Sequence, residues 1–314
     1  MDLSIIIVNY RSSVVLQNCL RSIHAGSTRI SYEVIVVDND SGDGMIPALR
    51  REFTETEFIE LDRNAGFAAG NNVGIARARG QTLLLLNPDT IVPKKMIDAL
   101  FERMALDRSI GIIGPTIFYI DGSLQSRYIP KKIPTLFYLF CEMFYLDKMF
   151  PKSRLFNSYF GAGFDYGMEQ EVGQVCGACM MIKKEVFDKI GLFDERFFLY
   201  FDEADLCLRA KRAGFRTMYY PATSIVHLEG ASSLSSNRER VYNYYRTQLY
   251  FFRKHYGPVK TFALYILNMG GFTTRFLTVP FYLIKDRNFD KVARHFWAFV
   301  YHLNPVHLIE ALEK

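Results

Sequence analysis

The sequence has few cysteines, no large excess of charge and no secretion signal, and each shortage excludes a class of protein. Its five cysteines among 314 residues are an odd number, which argues against a disulfide framework and favours a reducing compartment. A formal net charge of +5 is too small to indicate a nucleic-acid-binding protein. The first residues enter a strand-like segment without the basic region or cleavage site of a signal peptide, so we expect a cytoplasmic protein.

Two nucleotide-binding motifs are also absent. A dinucleotide-binding turn needs G-x-G-x-x-G after the first strand, where this chain has Asn9 to Ser13 instead, and no G-x-x-x-x-G-K-[ST] occurs anywhere. Dehydrogenases that use this turn and P-loop nucleotide hydrolases are therefore excluded.

Short apolar, β-branched runs alternate with segments of helical periodicity over the first third of the chain. The pattern predicts strands over residues 4–9, 32–38, 56–61, 82–86 and 110–115, and helices over residues 68–79 and 93–107. Such βα repeats indicate an α/β fold with a mostly parallel sheet flanked by helices. The first, second and fourth strands end in polar residues, namely Asn9, Asp38-Asn39 and Asn87-Pro88-Asp89. Because ligands of such sheets bind beyond the carboxyl ends of the strands, these residues predict one common site.

Regular alternation weakens over residues 119–170, which are rich in aromatic side chains. We interpret this segment as an inserted helical subdomain with its own core; the alternative is an apolar surface for an acceptor or a membrane. A strand-like run follows at 171–182, then a helix at 203–213 and short strands at 216–220 and 224–227. From residue 237 the pattern is helical. We therefore predict an α/β domain over 1–232 and a helical carboxyl-terminal region over 233–314.

Two polar groups suggest a metal site. Asp89 lies with Asn87 in a tight turn after an apolar run, and a carboxylate there can hold a hard divalent cation, although such residues also form ordinary turns. His227 ends an otherwise apolar segment, where a lone histidine is more often structural; near Asp89 its imidazole would complete the site. Cys176 and Cys179 form a C-x-x-C without a second pair, so we expect buried thiols there and no zinc site.

A group of acids suggests proton transfer. Asp202, Glu203 and Asp205 crowd at the predicted start of a helix, directly after an aromatic run. Acids in a first turn commonly do no more than favour the helix dipole. Like charges beside apolar surface, however, raise a carboxyl pKa toward values that suit a general base.

Several segments that contain these residues resemble the inverting family 2 glycosyltransferases of GT-A fold, in particular the rhamnosyltransferase-like branch that builds bacterial surface polysaccharides. The similarity spans about residues 3–230 in the expected order, through VNY, VVDNDSGDG, RNAGFAAGNNVG, LLNPDT, CGACMMIKKEVFDKIGLFDERFF, YFDEADLCLR and the late His227. It implies a GT-A, Rossmann-like catalytic domain that transfers a sugar from a nucleotide diphosphate with inversion.

The resemblance also implies residue roles. It assigns donor binding to Asn9, Tyr10, Asp38, Asn39, Asn64, Gly66, Phe67, Gly70, Asn71 and Asn87. It assigns Mg²⁺ or Mn²⁺ to Asp89 and His227, with Asn87 where the family's D-x-D motif has its first acid. Gly177, Ala178 and Asp205 are assigned to the acceptor side. Because the family's Glu-Asp pair is reversed here, the match nominates Glu203 as the general base and Asp202 as the alternative.

The branch resemblance favours dTDP-L-rhamnose as donor and a glycan or polyprenyl-linked glycan as acceptor. The alternatives are a UDP-hexose or UDP-N-acetylhexosamine donor, or a non-catalytic scaffold protein of the same fold. Nucleotidyl transfer is disfavoured, because no glycine-rich loop with Arg or Lys for a triphosphate follows the first strand.

The helical tail bears on location. Its longest uncharged runs, residues 261–274 and 295–309, are shorter than the roughly 20 apolar residues of a spanning helix. Aromatic and aliphatic residues interspersed with Lys and Arg are typical of interfacial helices. The tail therefore predicts peripheral contact with the inner face of the cell membrane or, alternatively, packing on the catalytic domain or on a second subunit in a homodimer.

Overall fold

The computed structural model describes residues 1–26, 28–126, 132–228, 237–285, 289–304 and 306–313, with side chains except at 237, 276–285, 289–292, 295 and 310–313. The chain divides into two compact units. The first comprises residues 1–133, 164–195 and 202–234, and the second comprises 134–163, 196–201 and 235–314. The predicted domain boundary at residue 232 lies outside the described residues.

The described strands of the first unit form one sheet. They are β1 (Leu3–Asn9), β2 (Tyr32–Asp38), β3 (Thr56–Glu60), β4 (Thr82–Leu86), β5 (Thr90–Ile91), β6 (Ile110–Phe118), β7 (Gln170–Glu171), β8 (Cys179–Lys183) and β9 (Arg216–His227). Their order is β3-β2-β1-β4-β8-β6-β9-β5, and β7 pairs with β9. Strands β8, β5 and β7 run antiparallel to their neighbours, while the other six share one direction. The prediction of a mostly parallel sheet is confirmed.

The described helices are α1 (Ser13–His24), α2 (Ile46–Glu52), α3 (Phe67–Arg77), α4 (Met96–Leu106), α5 (Leu136–Met143), α6 (Leu146–Met149), α7 (Lys184–Ile190), α8 (Asp202–Arg212), α9 (Asn237–Lys285), α10 (Phe289–Leu303) and α11 (Val306–Glu313). The predicted helices in the first unit correspond to α3, α4 and α8, with limits that differ by at most three residues.

Two sequence predictions differ from the observed strands. The strand-like run 171–182 is not one strand: it contains the last residue of β7 and residues 179–182 of β8, and residues 172–178 between them are not in a strand. The two short strands expected at 216–220 and 224–227 are one strand, β9, whose register against β6 skips residues 221–223. Pro221 lies in the skipped segment, where a residue without an N–H group removes no ladder hydrogen bond.

Helix α3 lies unusually close to β1 because two of its residues lack a side chain. A Cβ on Gly70 would stand 2.8 Å from Val8 Cγ1, and one on Gly74 would stand 2.4 Å from Ile6 Cγ2. Real Cβ atoms do not approach this closely, so larger residues would push the helix away from the strand. The two glycines thereby fix the start of α3 beside the carboxyl end of β1.

The second unit is helical, and it joins the aromatic segment to the tail. Helix α9 changes direction at Gly257, where φ is +83°. Gly271 of α9 packs directly on Met143 of α5, and the Tyr256 hydroxyl donates to the Pro134 carbonyl at 2.8 Å. Residues 134–163 thus share a core with the tail instead of forming a separate one, because an eight-residue helix such as α5 cannot bury its apolar face alone. None of the described helices combines the length and apolarity needed to cross a bilayer.

Candidate active site

The carboxyl ends of β1 and β2 are joined by a buried polar network. The Asn9 amide nitrogen lies 2.7 Å from Asp38 Oδ1, 3.1 Å from Ser13 Oγ and 2.9 Å from Ser41 Oγ. The Ser41 backbone N–H donates to Asp38 Oδ2 at 3.1 Å. Asn9 is fully buried and Asp38 almost so. Two predicted donor-binding residues therefore form a rigid base at the sheet edge.

A second network fixes the loop that enters α3. The Asn39 side chain donates to Asn64 Oδ1 at 2.9 Å and accepts from the Ala65 backbone N–H at 2.8 Å. The Gly66 N–H donates to Asn64 Oδ1 at 3.0 Å, and Gly66 has a φ of +88°, which favours glycine. The amides of Asn39 and Asn64 thus hold the loop in place beside the edge of the sheet.

The other predicted donor residues lie around the same loop. The Asn71 side chain donates to the Phe67 carbonyl at 2.9 Å, which anchors it within α3, and the Phe67 ring meets Phe193 edge-on at 6.4 Å. Tyr10 is partly exposed, with the Arg11 guanidinium 5.2 Å above its ring. Gly70 serves the packing of α3 described above. Nucleotide contacts by these residues stay predictions.

Asp89 and His227 meet because of a short antiparallel pairing. Strand β5 pairs Thr90 with His227, and the Leu228 N–H donates to the Asp89 carbonyl at 2.9 Å. This register brings His227 Nε2 to 3.3 Å from Asp89 Oδ1 and to 3.5 Å from Asn87 Nδ2. Asp89 is fully buried and His227 is 7% exposed. A carboxylate, an imidazole and an amide thus converge on one small volume.

Gln125 is a member of this cluster that the sequence analysis missed. Its Oε1 lies 3.1 Å from His227 Nδ1, and its Nε2 donates to the His227 carbonyl at 2.6 Å. An Asp121-Gly122 pair marks a turn just before it, and Gly122 does adopt a positive φ of +81°. That signal predicts a hairpin, but it does not connect residue 125 with a histidine 102 positions later.

The acid group opens helix α8. Burial raises the pKa of Asp202 well above its usual value, and the neighbouring Glu203 carboxylate raises it further. Glu203 is only partly buried, and a Cβ on Gly177 would stand 3.8 Å from its Oε1. The two residues before α8, Tyr200 and Phe201, both adopt positive φ values near +70° and +64°, which is costly for such side chains. The carboxylate available beside Gly177 is therefore that of Glu203.

Cys176 connects the two clusters. The pKa of its thiol is raised to about 12, mainly by burial and to a smaller extent by the charges of Glu203, Asp89 and Asp202. Glu203, Asp89 and Asp202 therefore lie near enough to Cys176 for their charges to act on its thiol. The Asn87 N–H donates to the Ala178 carbonyl at 3.0 Å, which joins the segment before β8 to the turn that holds Asp89. All five cysteines are free. Cys179 is buried as expected, whereas Cys176, which was also expected to be buried, is only partly buried.

Comparison with known proteins agrees with this geometry. The sequence model of glycosyl transferase family 2 matches residues 4–191. The chain belongs to that family. It is 25% identical over 244 residues to the N-acetylglucosaminyl-diphospho-decaprenol L-rhamnosyltransferase of Mycobacterium tuberculosis, which covers 74% of this chain and 77% of the relative. It is 30% identical over 234 residues to the low-salt glycan biosynthesis hexosyltransferase Agl10 of Haloferax volcanii (72% and 67%), and 24% identical over 233 residues to rhamnosyltransferase WbbL of Escherichia coli (71% and 82%).

Solved structures confirm the predicted GT-A fold of this chain. A structure of GalNAc-T7 with UDP, GalNAc and Mn²⁺ superposes with a TM-score of 0.55 at 16% identity, over 80% of this chain and 50% of that one. A structure of residues 1–349 of S. aureus TarS with UDP-GlcNAc also gives a TM-score of 0.55, at 14% identity, over 99% of this chain and 82% of that one.

In this family 2 glycosyltransferase, the third acid of the α8 group has a structural partner. Asp205 is fully buried, and its Oδ2 accepts from Arg209 Nε at 2.7 Å. The same guanidinium donates to the carbonyls of Ile190 and Leu192, at 2.9 and 3.0 Å. Asp205 therefore ties α8 to the end of α7, and an acceptor contact by this residue stays a prediction.

The described part of this family 2 transferase holds no group of three His, Cys, Asp or Glu side chains arranged for a metal ion. Among those residue types, the described residues therefore offer at most two ligands to a cation at this cluster, Asp89 and His227. The Asn87 amide lies beside them. A divalent cation bound there would keep open positions for oxygen atoms of a diphosphate.

Proposed function

We propose that this protein is an inverting, metal-dependent glycosyltransferase that moves L-rhamnose from dTDP-L-rhamnose to a hydroxyl of a glycan or lipid-linked glycan during bacterial surface polysaccharide synthesis. The observation that carries the proposal is that the segment Gly177-Ala178 contacts both clusters: the Ala178 carbonyl accepts from the Asn87 N–H at 3.0 Å, and a Cβ on Gly177 would stand 3.8 Å from Glu203 Oε1. One cluster suits the leaving diphosphate and the other suits the attacking hydroxyl. The choice of rhamnose is supported by two relatives whose names specify rhamnosyl transfer.

The donor set of the Asp89 cluster suits Mg²⁺ or Mn²⁺. Asp89 Oδ1 and His227 Nε2 stand 3.3 Å apart, a separation that fits two neighbouring ligands of one cation with bonds of about 2.1 Å. Carboxylate and imidazole are ligands that these metals accept, and the solved GalNAc-T7 structure contains Mn²⁺. When bound, the cation supplies positive charge against the leaving diphosphate.

Proton transfer belongs to the α8 acids in this proposal. Glu203 accepts the proton of the acceptor hydroxyl while the oxygen of that hydroxyl forms a bond to the anomeric carbon. The bond from that carbon to the diphosphate oxygen breaks on the opposite face, so a single displacement inverts the configuration. The proposal gives the basic role to Glu203 because its side chain is only partly buried and lies beside Gly177, whereas Asp202 is almost fully buried. Gly177, which carries no side chain, leaves room for the acceptor beside Glu203.

Other donors are the alternative within the same chemistry. The relative Agl10 is named as a hexosyltransferase, and the TarS and GalNAc-T7 structures are described with UDP or UDP-GlcNAc. These names support a UDP-hexose or UDP-N-acetylhexosamine. A scaffold protein without turnover is the remaining alternative, since Asn87 and the reversed Asp202-Glu203 order depart from the family pattern.

A thermal-shift panel tests the donor and the metal together. A ligand that binds only the folded state stabilises it by about 2.7 kcal/mol at 100 times its Kd. We expect dTDP to raise the melting temperature more than UDP, GDP or CMP, and only with Mn²⁺ or Mg²⁺ present. A metal-dependent preference for UDP would favour the hexose alternative. A chain that no nucleotide stabilises, and that releases no dTDP from dTDP-rhamnose, would contradict the enzymatic proposal.

The proposed location of the protein is the surface of the membrane, which it contacts peripherally. On the second half of α9, Val259, Phe262 and Ile266 recur at helical spacing and are 80%, 52% and 53% exposed. Helix α10 exposes a similar row, Phe296, Val300 and Leu303. Exposed apolar rows of this kind favour the boundary of a bilayer, with the exposed Lys260 suited to anionic lipid.

The membrane proposal is tested by sedimentation with vesicles of anionic phospholipid. The triple variant Val259→Ser, Phe262→Ser, Ile266→Ser should lose most of its binding. Leu106→Ser is the matched control, because Leu106 is 83% exposed but lies in the first unit. Equal sedimentation of the triple variant and the control would contradict membrane contact. A wild-type dimer that the triple variant converts to a monomer would favour a homodimer at the same surface.

A further inference from the structure

A fully buried glutamine holds both the ring and the main chain of one residue, His227. Gln125 Oε1 lies 3.1 Å from His227 Nδ1, while Gln125 Nε2 donates to the His227 carbonyl at 2.6 Å. The backbone of Gln125 is fixed in turn, because its N–H donates to the Ile117 carbonyl of β6 at 2.9 Å. Gln125 therefore connects β6, through its backbone, with His227 at the end of β9, through its side chain.

The two hydrogen bonds determine where the protons are. The His227 carbonyl can only accept, so the group that faces it at 2.6 Å must be the NH₂ of the amide. The amide oxygen is then the atom that faces His227 Nδ1, and an oxygen acceptor requires a proton on that nitrogen. A carbonyl that only accepts thus fixes the orientation of the glutamine, and the glutamine fixes the tautomer of the histidine.

The proton on Nδ1 determines the state of the other ring nitrogen of His227, Nε2. With Nδ1 protonated, the neutral imidazole directs the Nε2 lone pair at the volume between Asp89 Oδ1, 3.3 Å away, and Asn87 Nδ2, 3.5 Å away. We propose that Gln125 is a positioning residue, which sets the tautomer and ring orientation that His227 needs to bind the divalent cation. The metal part rests on the proposed function, whereas the tautomer does not.

The tautomer is tested without any metal, by ¹⁵N–¹H correlation spectra of protein labelled in its histidine rings and recorded at mildly alkaline pH. The chain has six histidines, and His227→Ala identifies the signal of interest. We expect the Nδ1–H pattern in the wild type and a mixed or Nε2–H pattern in Gln125→Met. An Nε2–H pattern in the wild type would overturn the proposal even if the variant does not fold.

Metal binding is tested by electron paramagnetic resonance of Mn²⁺ titrated into the protein with dTDP or UDP. Loss of a partner that orients a metal-binding histidine costs about 10- to 100-fold in affinity, so Gln125→Met should weaken Mn²⁺ binding by that factor. Gln174→Met is the matched control, because Gln174 is also buried in the first unit but donates to the Lys132 carbonyl, and it should bind like the wild type.

The outcomes separate the two proposals. An unchanged His227 signal and unchanged Mn²⁺ affinity in folded Gln125→Met would overturn the positioning role. Equal losses in Gln125→Met and Gln174→Met would also overturn it, because they would indicate a general effect on the core. A wild type that shows the Nδ1–H tautomer but does not bind Mn²⁺ with any nucleotide would contradict the proposed metal site while leaving the tautomer assignment supported.

Discussion

The reversed acid pair at the start of α8 allows a decisive test of which carboxylate is the base. Asp202 is 3% exposed, and its Oδ2 atom has no hydrogen-bond partner among the described residues. Burial, followed by the Glu203 charge, raises the pKa of Asp202 well above its usual value. Asp202→Asn replaces a carboxyl group that keeps its proton by a neutral amide of the same shape. Glu203→Gln removes the more accessible carboxylate.

The stability of Asp202→Asn should reveal the raised pKa directly. In the unfolded chain Asp202 loses its proton near pH 4, whereas the folded protein retains it to higher pH. The folded state then binds more protons, so the free energy of unfolding of the wild type falls as pH rises from about 4 through the folded-state pKa, by about 1.4 kcal/mol per pH unit. In urea unfolding at a series of pH values, the free energy of unfolding of Asp202→Asn should increase relative to that of the wild type by about that amount per pH unit. Parallel curves for the two proteins would refute the raised pKa.

Turnover separates the two acids. General-base catalysis contributes about 10²- to 10⁴-fold, or roughly 3 to 5 kcal/mol of barrier, so Glu203→Gln should lower kcat by that factor with little change in nucleotide affinity. Asp202→Asn should lower kcat by less than about tenfold, since it preserves the neutral form. Initial rates of nucleotide diphosphate release in the presence of acceptor measure both. If Asp202→Asn lost more activity than Glu203→Gln, the base would be Asp202 and the reasoning from burial would be wrong.

Three further predictions follow from the same structure. Gly177→Ala places a methyl group in ordinary contact, 3.8 Å from Glu203 Oε1, so we expect an unchanged melting temperature but a higher KM for acceptor; an unchanged KM would contradict the acceptor assignment. Arg209→Met should lower the free energy of unfolding by about 3 kcal/mol, because it strands the buried Asp205 charge, and adding Asp205→Asn should restore part of it. Burial lowers the pKa of His302 to about 4, so stability should fall by about 3 kcal/mol as pH drops from 6.5 to 4, and His302→Gln should flatten that dependence in urea unfolding.

The sequence predicts well those strands whose burial on both faces produces a run of apolar residues. Strand β2 (Tyr32–Asp38) and strand β4 (Thr82–Leu86) each contain four consecutive apolar residues because both of their faces are covered, and the predicted limits match the observed ones. The polar residues directly after such runs lie at the carboxyl ends of the strands. The position of the site followed from the order of these elements.

What sequence predicts poorly depends on contacts between distant segments. Residues 134–163 contain short apolar helices, and nothing within them specifies that their core is completed by residues more than 100 positions later, such as Gly271 against Met143. Strand β9 reads as two strands because Pro221 interrupts the pattern, although the ladder tolerates the interruption by skipping residues. Gln125 carries no motif at all. In each case the deciding partner belongs to another element, which local periodicity does not identify.

His227 shows how topology can change the meaning of a residue. Taken by itself, a single histidine at the end of an apolar run is more often structural. The two-residue pairing of β5 with β9 places it opposite Thr90, next to Asp89, and Gln125 then restricts the protonated nitrogen to the side away from that carboxylate. Three separate segments are thus needed before the imidazole can act as a ligand. If the site is a metal site, disrupting the Gln125 contact should weaken it with Asp89 and His227 both intact, which a count of ligands alone would not predict.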